Sequence, residues 1–214
     1  RIPDGEQPTG VCALPLYHIF AFTVGMMLSM RYGGKLILIP NPRDLPAVLK
    51  ELSKHTFHSF PAVSTLFNGL ANHPDFHSVN WSNLKVSLGG GMAVQSAVAK
   101  LWLEKTGCPI CEGYGLTEAT CLVSINPPDG EKKIGSIGLA FPYCDVKIMD
   151  LATGKEAKTG EQGEICVSNP GVSMGNTYTD ESKNKDLYYP GKDSKTQYLR
   201  TGDLGRIDAD GYLW

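Results

Sequence analysis

Seven consecutive residues, Glu112-Gly113-Tyr114-Gly115-Leu116-Thr117-Glu118, collect groups suited to a nucleotide. Tyr114 offers a flat face for a base, a contact worth roughly 1–3 kcal/mol. Thr117 supplies a hydroxyl that can donate to a phosphate oxygen, and Glu118 a carboxylate suited to a hard Mg²⁺ ion. Glycines on both sides of Tyr114 let the backbone turn sharply and come close to a ligand. The competing reading is a glycine-containing turn between two apolar runs, 109–111 and 121–125, with Thr117 and Glu118 solvated. The heptapeptide alone does not separate the two.

Two further stretches bear on the choice. Gly89-Gly90-Gly91 follows a strand-like run, and three successive glycines cost chain entropy unless close approach or a positive φ demands them. A flat ring lying against the peptide plane is one such demand. In Tyr198-Leu199-Arg200-Thr201-Gly202-Asp203-Leu204, the Asp203 carboxylate has two oxygens that can accept from both hydroxyls of a ribose, although an Asx-turn explains Asp203 equally well. His18 opens an apolar segment, where histidines usually serve as satisfied core groups, and Phe20 and Phe22 read as core aromatics. Asp208-Ala209-Asp210-Gly211 lacks the remaining ligands of a calcium loop and reads as a hairpin turn.

The elements that must position these groups follow from apolar periodicity. Val11–Leu16 reads as a strand and Ile19–Met30, apolar nearly all round, as a buried helix ended by Gly33-Gly34. A strand over 35–40, a helix over 45–54 capped by Asp44, a strand over 56–60 and a helix over 63–72 come next. Then follow a strand over 84–88 running into the glycines, a helix over 94–105 and a strand over 109–111. Such alternation implies a mostly parallel sheet flanked by helices, with ligands beyond the carboxyl ends of the strands. After Pro127-Pro128-Asp129-Gly130 the texture changes to short β runs over 145–149, 163–168, 198–201 and 205–207, the pattern of a small β-rich, barrel-like subdomain. The fold class is therefore α/β, with an α/β subdomain over residues 1–132 and a β-rich one over 133–214.

The 214 residues suffice for a real core. A net charge of −2 gives no basis for nucleic-acid or anionic-membrane binding. No apolar run reaches the ~20 residues of a membrane span, and the polar, turn-like Arg1-Ile2-Pro3-Asp4-Gly5 is no signal peptide. The six cysteines (Cys12, Cys108, Cys111, Cys121, Cys144, Cys166) sit mostly in apolar stretches and read as reduced structural thiols. Cys108-Pro-Ile-Cys111 lacks a partner motif for zinc. The expected location is the cytoplasm.

Glu112–Glu118, Leu88-Gly-Gly-Gly-Met92 and Thr201-Gly-Asp203 occur in the order and approximate spacing of the adenylate-forming superfamily, which this chain resembles over nearly its whole length. Leu14-Pro-Leu-Tyr-His-Ile-Phe-Ala-Phe22, Asn41-Pro-Arg-Asp44 and Ser136-Ile-Gly-Leu139 look like the long-chain fatty-acid–CoA ligases within it. The resemblance implies ATP, Mg²⁺ and coenzyme A as cofactor and co-substrates and a fatty acid as substrate. Aryl or medium-chain acids, or a pseudoenzyme of the same fold, are the alternatives. It implies that Gly89–Gly91 and Tyr114 sandwich adenine, Met92, Glu112, Gly113, Gly115 and Leu116 line the nucleotide, and Asp203 takes the ribose. Thr117 would bind the α-phosphate, Glu118 the metal, His18 would lie near the acyl carboxylate, and Phe22 would gate the acyl channel. Gly163-Glu164-Ile165-Cys166-Val167 would be structural. The family's phosphate loop, hinge and C-terminal lysine domain are absent, so the chain reads as a piece of a larger protein, expected to be inactive alone. Peripheral association with a membrane stays open, and no oligomeric state follows.

Overall fold

The computed structural model describes every residue except Arg1, Pro3, Asp4, Met174, Asn176 and residues 192–194. Most of the turn expected at the start of the chain thus lies outside the described residues. Two compact units are formed, Arg1–Glu112 and Gly113–Trp214.

The first unit is a parallel sheet of β1 (Thr9–Cys12), β2 (Lys35–Leu38), β3 (Ser59–Ala62), β4 (Val86–Gly89) and the opening of β5 (Ile110–Leu116). Their order is β2-β1-β3-β4-β5. The intervening helices are α1 (Leu28–Tyr32), α2 (Leu45–Leu52), α3 (Ser64–Ala71) and α4 (Ser96–Thr106). Asp44 caps α2 as its sequence position predicts, its Oδ1 accepting from the Ala47 N–H at 3.1 Å. Phe57, Phe60, Phe67, Phe76, Trp81 and Trp102 fill the core, mostly edge to face, with Phe67 and Trp102 centroids 4.7 Å apart. The buried Trp102 Nε1 donates to Ser87 Oγ at 2.9 Å, so the indole enters the core without a lost hydrogen bond.

β1 and β3 are displaced from where apolar runs place them. β1 ends at Cys12 rather than running to Leu16, because Pro15 has no N–H for a ladder. β3 begins at Ser59 rather than Thr56, where pairing with Gly10 and Val86 starts. The expected helix over Ile19–Met30 exists as a π-helical stretch, Ala21–Met27, continuing into α1. It is not buried. Only Ala21 and Gly25 are enclosed, while Met30 is 70% exposed. A helix apolar on every side needs partners on every side, and the described residues cover one face of this one. A cavity of about 470 Å³ lies in the same unit, lined by Val24, Leu28 and Tyr32 of this segment and by Gly10, His58 and Ser59.

In the second unit the rest of β5 pairs antiparallel with β6 (Cys121–Ile125), which pairs with β7 (Leu139–Ala140). A separate antiparallel sheet has the order β10-β11-β9-β8. Its strands are β8 (Asp145–Met149), β9 (Gly163–Ser168), β10 (Tyr188–Pro190) and β11 (Gln197–Gly205). The runs over 198–201 and 205–207 are not two strands. The first belongs to β11, which continues to Gly205 across an irregularity between Arg200 and Leu204, and Ile207 makes only a bridge to Leu213. No helix among the described residues is long and apolar enough to cross a membrane.

Candidate functional site

The central heptapeptide is mostly strand. β5 continues through Leu116, and the chain turns in a 3-10 segment, Thr117–Ala119, beyond the glycines rather than at them. The glycines serve close packing instead. A Cβ on Gly115 would fall 1.6 Å from the Cys121 carbonyl oxygen, so β6 can pass there only against bare backbone. The return into β6 uses left-handed backbone at Thr120 and Cys121, with φ of 54° and 83°. Such non-glycine positions persist only where surrounding contacts hold them. The Thr120 hydroxyl donates to the Gly171 carbonyl.

Tyr114 meets Asp203 in the second unit. The phenolic hydroxyl donates to Asp203 Oδ2 at 2.5 Å across 89 residues of sequence. Burial, reinforced by this hydrogen bond, holds the hydroxyl well above the ordinary range for a phenol, so it stays protonated as the donor. Asp203 itself is exposed, at the end of a bulge in which the Thr201 hydroxyl donates to the Ile165 carbonyl and accepts from the Asp203 N–H. An aromatic ring and an accessible carboxylate are thereby fixed side by side.

Glu118 is half-buried and tied at two points. Its carbonyl accepts from the Ser173 N–H at 2.8 Å, and its Oε1 accepts from the Tyr178 hydroxyl at 2.5 Å. Thr117 is exposed one residue before it. Tyr178 escapes sequence reasoning altogether, because nothing in the polar run around it marks an aromatic that reaches back 60 residues.

In the first unit, Gly89 ends β4 where a Cβ would lie 2.4 Å from Val94 Cγ2, and Gly91 adopts a φ of +79°. Close approach and positive φ are the two demands that the triple glycine implied. Met92 is exposed, whereas Glu112 is buried and its Oε2 accepts from the Val94 N–H at 3.3 Å, which ties the segment after the glycines to β5. His18 is exposed rather than a core group, its Nδ1 accepting from the Phe20 N–H. Phe22 is 42% exposed and does not line the cavity, so it is not a core aromatic either. His58 does line it. Its Nδ1 accepts from the Thr9 N–H, which leaves Nε2 to donate to Glu6 at 3.0 Å.

A model of the family described as AMP-binding enzyme matches residues 2–176. The long-chain-fatty-acid–CoA ligase of Salmonella typhimurium is 43% identical over 203 residues, which are 95% of this chain but 35% of that protein. The chain therefore spans about a third of that relative's length. A long-chain-fatty-acid-CoA ligase from Archaeoglobus fulgidus superimposes with a TM-score of 0.84 at 26% identity, covering 98% of this chain and 44% of the other. The O-succinylbenzoate coenzyme A synthetase of Bacillus subtilis, solved with ATP and magnesium ion, gives a TM-score of 0.78 at 28% identity, over 98% and 41%.

Proposed function

The chain belongs to the AMP-binding enzyme family, and on that premise we propose that the protein carrying it activates a long-chain fatty acid. The acid's carboxylate oxygen attacks the α-phosphorus of ATP and pyrophosphate leaves. The sulfur of coenzyme A then attacks the acyl carbon and AMP leaves. The observation that carries this reading is the Tyr114–Asp203 hydrogen bond, which joins a base-stacking face to a ribose-accepting carboxylate from distant parts of the sequence. The fatty-acid class is supported by the Salmonella and Archaeoglobus ligases.

In this reading Tyr114 stacks on adenine and Asp203 accepts from the ribose hydroxyls. Thr117 donates to the α-phosphate. Gly89–Gly91 offer bare backbone at the end of β4, and His18 lies exposed for a substrate carboxylate. The donor set fits Mg²⁺: Glu118 supplies one carboxylate, held at Oε1 by the Tyr178 hydroxyl. Magnesium is commonly held by one or two carboxylates together with substrate phosphates. When bound, it neutralises charge building on the phosphates. The cavity of the first unit lies at the amino ends of β1, β3 and β4, opposite the end that carries Gly89–Gly91, and within the roughly 300–1,000 Å³ of small-molecule pockets; we assign it to the far end of the alkyl chain.

The test is acid-dependent exchange of pyrophosphate into ATP by the full-length protein, with alkyl acids of graded length and an aryl acid. Exchange that rises with alkyl length is expected. Exchange with the aryl acid alone, or with none, would overturn the reading.

A further inference from the structure

Glu164 is a carboxylate in the core run of β9, only 4% exposed, among Gly163, Ile165, Cys166 and Val167, which are all buried. Its two oxygens are divided between two residues of β11. Oε1 accepts from the Gly202 N–H at 3.1 Å and Oε2 from Arg200 Nε at 3.0 Å. These residues lie within the irregularity of β11, where pairing with β9 runs from Arg200↔Cys166 to Leu204↔Glu164 and skips Thr201, Gly202 and Asp203. The skipped Gly202 N–H therefore finds a side-chain oxygen instead of a ladder carbonyl. Gly202 holds a φ of +78°, open to glycine at little cost. The guanidinium has its own anchors, the Asp186 carbonyl at 3.2 Å and the Tyr189 ring at 4.8 Å.

A buried carboxylate is costly to desolvate and is retained where its partners need it. The partners here are Gly202, the residue before Asp203, and Arg200, the last paired residue before the stretch that carries it. We propose that Glu164 is a positioning residue for Asp203: it replaces the missing ladder bond of the bulge and so aims the Asp203 carboxylate at the nucleotide ribose. This rests on the reading of Asp203 as the ribose acceptor. A merely structural Glu164 would affect stability and leave discrimination between sugars untouched.

The test compares affinities of the full-length protein for ATP and for 2′,3′-dideoxy-ATP by calorimetry. Their ratio does not depend on the fraction of protein folded, so a partly unfolded variant still reports. Wild type is expected to favour ATP by about ten-fold or more, the worth of hydrogen bonds to a charged group. Asp203→Ala should bring the ratio close to one. Glu164→Gln keeps the shape but sets an amide N–H₂ against Arg200 or Gly202, and should move the ratio most of the way to that of Asp203→Ala. Arg200→Lys, which keeps the charge and removes Nε, should shift it in the same direction. A wild-type ratio in Glu164→Gln beside a lost one in Asp203→Ala overturns the positioning role and leaves the ribose reading standing. A wild-type ratio in Asp203→Ala overturns the ribose reading itself, and the inference with it.

Discussion

Tyr178 donates its hydroxyl to Glu118 Oε1 at 2.5 Å, and this bond raises the phenol to about 12, so the donor is protonated throughout the neutral range. One carboxylate oxygen is thus held, and in the proposed site the other would take the metal ion. Partners of this kind orient a ligand, and their loss typically weakens metal affinity about 10–100-fold. Tyr178→Phe should therefore raise the Mg²⁺ concentration needed for half-maximal nucleotide binding by about ten-fold, with Glu118→Gln larger still. A Mg²⁺ titration of Tyr178→Phe that superimposes on wild type would remove the phenol from this role.

Tyr114 makes two separable contributions. Tyr114→Ala deletes ring and hydroxyl and should weaken ATP binding by roughly 1–3 kcal/mol, the value of one stacked base. Tyr114→Phe keeps the ring but frees Asp203 Oδ2 from its donor. It should retain most of the ATP affinity while binding less selectively to ribose over dideoxyribose. Equal affinities in wild type and Tyr114→Ala would sink the stacking assignment.

Chain-length preference should respond to the cavity. Val24 lines it, and Val24→Trp should occupy part of its volume. Each methylene denied burial costs about 0.8 kcal/mol, so the loss should grow with acyl length and vanish for short acids. Phe22→Ala, at the exposed face of the same helix, should also alter selectivity among acyl chains if it borders the route inward. Unchanged length profiles in both variants would separate the cavity from the acyl chain.

Acid should loosen the end of the second unit. The Lys133 ammonium, 2.8 Å from Asp208, holds that carboxyl well below the usual carboxylate range, with help from Trp214 Nε1 and the N–H groups of Tyr212 and Asp210. A depressed folded-state value means that the stabilisation is fully present above the unfolded value, about 3.9, and is lost as pH falls below it. The melting temperature should drop between about pH 4 and pH 2, and Asp208→Asn should flatten that part of the profile. Parallel profiles for the two proteins would show that the Lys133 pair contributes nothing there.

Short-range physics carried the part of the fold that was legible before any tertiary contact. The alternation of apolar periods announced a parallel α/β sheet followed by antiparallel strands, and Asp44 marked its own helix start, because capping and periodicity act over three or four residues. The bounds of β8 and β9 were legible for the same reason. Tertiary structure alone decided which chemical groups meet. Tyr114 reaches Asp203, Tyr178 reaches Glu118 and Glu164 reaches Gly202 across 89, 60 and 38 residues. The first and third depend on strand register and on one bulge in β11, and the second on the loop after β9 that returns to the turn after β5, none of them set by a local preference. Burial of the helix over 19–30 likewise could not be read from its composition, since an apolar side chain is buried only where a partner covers it.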